Sequence, residues 1–330
     1  MTLADGAALV MLAALLAYAV LGGADFGGGL WSLLAAGPRA ERQRETIDAA
    51  IAPVWEANHV WLIFALVVLF TAFPAAYALM LTALHVPVTL MLLGIVLRGT
   101  AFTFRHYDPD PAARRRWGRV FGVASLLTPV FLGVTLGAIT EGRIRMNGDV
   151  YVSGFFRVWM TPFAFAVGAF ALALFAFLAA VFLTLETDDE LLRDDFRKRA
   201  IASGVAVGLC AVAAAFTGGT GTLPFSRRLL GSWFSTPLQL ATLVAAAGVF
   251  LALFQRRFRI ARALAVAEAG LIIAGWAFAH YPYLVTPDLT VVNAAAPDLT
   301  LELLFPVVGG GALILIPALY YLLRVFKRGS

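Results

Sequence analysis

Cysteine, histidine and charge are all scarce in this chain. A single cysteine, Cys210, stands among 330 residues. An intrachain disulfide framework and a thiolate metal site are both excluded. The four histidines are scattered, which argues against a dedicated histidine metal cluster. Charged residues make up 14% of the chain, against about 25% in soluble domains. No hydrophilic segment is long enough to fold as a soluble domain. No phosphate loop, metalloprotease histidine pair, GxSxG elbow or paired-histidine haem arrangement is present. The glycine-rich stretch "GADFGGG" (23–29) follows no strand, so a nucleotide-binding reading is poor.

What is present is apolar sequence. Hydrophobic residues reach 61%, and mean hydropathy is +0.85. Apolar runs recur along the chain, most of them meeting the length of about 20 residues that a bilayer demands. We read one integral membrane domain over 1–330, all-α and polytopic. Its nine spans are 5–35, 50–72, 77–103, 119–140, 158–186, 200–218, 236–254, 259–280 and 304–324. No Lys or Arg precedes the first run, which argues against a cleaved signal peptide. The segment 281–303 reads as a cap over the helices.

Basic residues orient the spans. The sequence pI of about 9.6 reflects arginines in short loops rather than nucleic-acid binding. Twenty of the 25 Lys and Arg fall in the odd-numbered connections and the C-terminal tail, and five in the others. The positive-inside rule then places the N-terminus outside and the C-terminus in the cytoplasm.

Charge within a span is costly and marks function by default. Asp25 falls in the inner half of span 1, inside "LGGADFGGGLW" (21–31). Glu56 falls about two turns into span 2, inside "IAPVWEANHVWLIF" (51–64). Both are on the cytoplasmic side of antiparallel neighbours, where they could approach each other. Such a pair suits proton transfer, because burial and a second carboxylate both favour the protonated form. The alternative is that either acid bonds a neighbouring helix or pairs with an arginine.

The glycines around Asp25 read as close helix packing, or as space for a cofactor edge or a file of water. His59 shares a helix face with Glu56, and Asn58 is offset from both. Three roles fit His59: haem ligand, proton relay or helix-bridging hydrogen-bonder. Trp55 and Trp61 read as interfacial or packing aromatics. Arg98, one turn inside the boundary, either neutralises an acid, meets a cofactor propionate on a partner, or snorkels. Glu268, in mid-span 8, and His85, in span 3, remain intramembrane polar groups of undecided role.

These pieces together resemble subunit II of the cytochrome bd-type quinol oxidases, including their cyanide-insensitive branch. The resemblance runs along nearly the whole chain. It is carried by "GGADFGGGLW" (22–31), "IAPVWEANHVWLIF" (51–64), "LRGTAFTFRHY" (97–107) and "GWAFAHYPYLVTPDLT" (275–290). It implies nine helices arranged as two four-helix bundles plus one. It implies a role in quinol oxidation coupled to reduction of oxygen to water, within a bacterial cytoplasmic (inner) membrane. The haem-bearing partner would be subunit I, holding haems b and d and the quinol site. This chain would ligate no haem, metal or nucleic acid. A bound quinone, membrane lipid and a small accessory subunit are compatible with the family. Asp25 and Glu56 match acidic positions associated there with a cytoplasmic proton path. The chain also departs from the pattern. Glu56 stands where many relatives have Asp, His59 replaces a second acid, and Thr103 stands where an acid is common. The rival readings are a proton-coupled transporter, which predicts an inverted repeat that is not evident, and a purely structural assembly subunit.

Overall fold

The computed structural model describes residues 2–148 and 150–327. Among these, nine helices are long and apolar enough to cross a membrane. They are α1 (Leu3–Leu33), α3 (Trp55–Ala72), α5 (His85–Tyr107), α6 (Pro111–Thr140), α7 (Pro162–Leu183), α8 (Glu190–Thr217), α10 (Ser235–Phe254), α11 (Phe258–His280) and α12 (Asp298–Lys327). Three shorter helices connect them: α2 (Ala40–Ile51), α4 (Pro74–Ala83) and α9 (Leu223–Gly231). Two small antiparallel hairpins complete the chain, β1 (Met146–Asn147) with β2 (Val150–Tyr151), and β3 (Tyr283–Val285) with β4 (Leu289–Thr290).

Helix starts follow local chemistry. Thr2 and Asp5 form a reciprocal capping box on α1. Asp110, Thr161 and Asp189 cap α6, α7 and α8 through side-chain oxygens that accept from backbone N–H groups. Pro111 and Pro162 follow two of these caps, where a missing N–H costs nothing. Inside the sequence-predicted span 77–103, the helix is broken at Leu84 into α4 and α5. Pro87 cannot donate back to Ala83, so one continuous helix would lose a bond there. The predicted span 50–72 likewise begins as a helix only at Trp55, after a turn through Pro53.

Helices α1, α3, α5 and α6 pack as one group, and α7, α8, α10 and α11 as a second. The groups join through α1 and α6 against α7, while α12 lies on α1 and α3. The tight joint needs glycine. A Cβ on Gly27 would run into the carbonyl of Phe175 on α7, and one on Gly29 into the Ser125 hydroxyl on α6. The glycines beside Asp25 are therefore packing residues that let three backbones converge.

The two ends of the molecule differ. At one end, α2 buries Gln43, Ile47 and Ile51 along one face, and Arg39 bonds Asp195 at 2.7 and 2.8 Å. At the other end, the segment 281–303 folds over the helices. Val285, Val291 and Ala294 are buried there, and backbone bonds tie Thr286 to Ile139 and Ala296 to Ala72.

Candidate functional site

A polar cluster lies inside the first group of helices. Asp25 on α1 is 5% exposed, Asn58 on α3 is 8% and Arg98 on α5 is 1%. The Asn58 amide donates to Asp25 at 2.9 Å. Arg98 and Asp25 interact electrostatically, and Arg98 Nη1 lies 3.2 Å from His59 Nε2. Guanidinium groups only donate, so His59 accepts through Nε2 and carries its hydrogen on Nδ1.

Aromatic rings wall the cluster. The Arg98 guanidinium lies over Phe26 at 4.8 Å and Phe121 at 5.2 Å. The His59 ring is 5.8 Å from Tyr18, 5.5 Å from Phe26 and 6.3 Å from Trp55. An arginine this deep does not snorkel. It is held by ring faces and by the charge of Asp25.

The structure changes the expected position of Glu56. That side chain is exposed in the first turn of α3, not two turns within the membrane helix beside Asp25. The reason is geometric: residues two apart on a helix point about 200° away from each other. Asn58 therefore takes the inward position that the sequence reading gave to Glu56. His59 joins Arg98 rather than Glu56. Trp55 is half-buried against Phe102 at 5.7 Å.

His85 and Glu268 lie elsewhere. His85 is exposed where α4 meets α5, with Nδ1 3.1 Å from the Thr82 carbonyl. Glu268 on α11 is 7% exposed, in the second group of helices. Its Oε2 is buried with no partner among the described residues.

Several members of the site escaped the sequence reading. Tyr18 is 2% exposed and sits two helical turns before Asp25, a spacing that keeps one face and was legible in principle. Phe26 and Phe121 are apolar residues among many, with no signal of their own. Asp48 on α2 pairs with Arg105, whose guanidinium lies 4.1 Å from the Phe121 ring. Burial holds the Asp48 carboxyl above the ordinary carboxylate range, although Arg105 opposes the shift. Phe121 thus separates an ion pair near the α2 end from the buried Arg98.

At the opposite end, an apolar cavity of about 580 Å³ opens between α1, α3, α5, α6 and α11. Asp5, His280 and Tyr281 supply polar groups in its lining, and the Tyr281 hydroxyl donates to Asp5 at 3.2 Å. Among the described residues, no three His, Cys, Asp or Glu gather in a way that could hold a metal ion.

Nine apolar helices among the described residues, with an acid–amide–arginine cluster buried in the first group of them, define a polytopic integral membrane protein with charge placed in its interior. Residues 3–326 match the profile of cytochrome bd terminal oxidase subunit II, and the chain belongs to that family. It is a subunit of an oxidoreductase complex. The chain is similar to the cytochrome bd ubiquinol oxidase subunit 2 of Bacillus subtilis (strain 168), at 29% identity over 86% of this chain and 84% of the relative. It is also similar to the cytochrome bd-I ubiquinol oxidase subunit 2 of Escherichia coli (strain K12), at 29% identity over 58% of this chain and 50% of the relative. In fold, it superposes on a chain of the bd oxidase from Geobacillus thermodenitrificans with TM-score 0.84 and 23% identity, over the full length of both.

Proposed function

We propose that this chain supports quinol oxidation coupled to reduction of oxygen to water, and carries part of the proton path that serves a haem-bearing partner, subunit I. The observation behind the proton role is Asp25, a carboxylate buried in the membrane-spanning part and held by Asn58 and Arg98. Such groups are expensive in a bilayer and usually serve ion or proton movement. The names of the Bacillus and Escherichia relatives support quinol as the reductant. The arginine-rich end belongs on the cytoplasmic side by the positive-inside rule. The relatives' bacterial sources support the cytoplasmic membrane as the location. The apolar cavity suits the tail of a bound quinone.

The residues divide the work. Glu56, exposed at the start of α3, exchanges protons with water or with partner groups. Asp25 is the internal acceptor. Asn58 cannot titrate, so it orients Asp25. The two acids face different surroundings, and transfer between them runs through water or partner groups. The haems b and d expected on subunit I supply electron transfer and oxygen binding when bound. His59 does not fit as an axial ligand, because Arg98 occupies its Nε2 lone pair. It serves with Arg98 to shape the field around Asp25.

Oxygen consumption by the purified complex tests this reading. Combining Asp25→Asn with Glu56→Ala is expected to slow turnover by about tenfold or more, with the haem spectrum intact. Unchanged turnover removes the proton role. Loss of haem and of subunit I together favours a purely structural role for the acids.

A further inference from the structure

We infer that the cleft between α5 and α6 is a binding site for one anionic phospholipid. A groove of about 460 Å³ runs between these helices, lined by Leu93, Gly94 and Leu97 of α5 and by Arg119, Val123 and Leu127 of α6. Arg119 is its one charged lining residue. The lining continues to Phe131, so the groove follows α6 for roughly 18 Å at 1.5 Å per residue. That length matches the hydrocarbon of one leaflet, half of a core about 30 Å thick. A groove this long, with one cation at its end, fits an acyl chain below a charged headgroup.

The second observation is the charge above that end. Arg114, Arg115, Arg116 and Arg119 crowd the first turns of α6, and all four are exposed. Elsewhere at this end of the molecule, many arginines find carboxylates, although Arg257, Arg259 and Arg262 form no ion pair among the described residues. Arg39, Arg42, Arg105, Arg193, Arg197 and Arg256 each form an ion pair. The side chains of the four on α6 form no ion pair, hydrogen bond or ring contact among the described residues. The nearest acids in the chain do not neutralise them. Asp110 caps α6, and Asp108 accepts from the Asp110 backbone N–H.

Position makes this cluster costly without a partner. Helix N-termini carry positive partial charge and disfavour cations, and like charges one turn apart repel. Arg115, Arg119, Val123 and Leu127 follow one another at intervals of four, so they form one ridge. Arg115 and Arg116 stand one turn beyond Arg119, where a phosphate would lie if its acyl chain filled the groove. Anionic headgroups gain from each nearby basic residue, and a zwitterionic headgroup gains far less.

The test uses the purified two-subunit oxidase in phosphatidylcholine vesicles with trace spin-labelled phosphatidylglycerol, read as the immobilised fraction by electron paramagnetic resonance. The wild-type complex is expected to immobilise labelled phosphatidylglycerol in preference to labelled phosphatidylcholine. Replacing Arg115, Arg116 and Arg119 with Gln is expected to weaken that binding by about tenfold or more. Val123→Trp fills the groove while keeping every charge, and is expected to weaken binding as well. Retained subunit I and an unchanged haem spectrum show that each variant is folded. Equal immobilisation of the two lipids overturns the proposal, as does full retention in either variant. Displacement by inorganic phosphate alone overturns it in favour of a free-anion site. A map of the complex with subunit I seated in the groove overturns it in favour of a protein interface.

Discussion

Arg98 donates from Nη1 to His59 Nε2 at 3.2 Å, and this one bond decides which nitrogen of the imidazole carries the hydrogen. Nδ1 of His59 and Nε and Nη2 of Arg98 are buried without a hydrogen-bond partner among the described residues. The pair thus keeps buried N–H donors in the same cluster as Asp25.

The tautomer can be read directly. Nitrogen-15 resonance of labelled histidine in the assembled complex is expected to show His59 protonated at Nδ1 and bare at Nε2. Arg98→Lys keeps a charge but loses the planar fork. It is expected to shift the ring toward a mixture of tautomers and to lower stability by about 1–3 kcal/mol. A His59 signal that does not change in Arg98→Lys would contradict the bond.

Glycine on α1 predicts a sharp positional contrast. Gly27→Ala drives a Cβ into the Phe175 carbonyl and the Ala179 side chain. We expect a loss of about 2–3 kcal/mol, at the upper end for overpacking because backbone atoms must move. Gly118→Ala meets nothing within 4 Å, and helix propensity alone favours it by up to about 1 kcal/mol. Thermal denaturation of the two variant complexes, followed by haem absorbance, gives the comparison. Equal midpoints would show that α1 and α7 are not in close contact.

Asp48 predicts a dependence on pH. Its carboxyl has a folded-state proton affinity above the ordinary value of 3.8. The folded chain therefore binds more protons than the unfolded one in the window just above that value. Stability falls as pH rises through the window. Asp48→Asn is expected to flatten that slope. It also leaves Arg105, whose side chain is 8% exposed, without its counter-charge, at a cost of about 2 kcal/mol given that Asp48 itself is partly hydrated. Denaturation midpoints across the acidic range check both effects. A slope unchanged in Asp48→Asn would assign the pH dependence to other groups.

Much of the architecture was legible in the sequence, because crossing a bilayer demands long apolar runs with internally satisfied backbones. That requirement is local, so composition and run length identified an all-helical polytopic chain. The motifs around Asp25 and Trp55 carried the family resemblance. Asp25 was legible as a buried polar group, since a lone carboxylate in an apolar run is conspicuous.

Tertiary structure decided which groups meet Asp25. The helix α3 begins at Trp55, and this start turns Asn58 inward and leaves Glu56 exposed. The phase of a helix depends on where it starts and what it packs against, and hydropathy reports neither. The same holds for Tyr18, Phe26 and Phe121, which join the site through packing between α1, α5 and α6. Apolar runs determined that these helices form. Convergence of three backbones at Gly27 and Gly29 decided how closely they pack, and that packing encloses Asp25, Asn58 and Arg98 in one charged cluster.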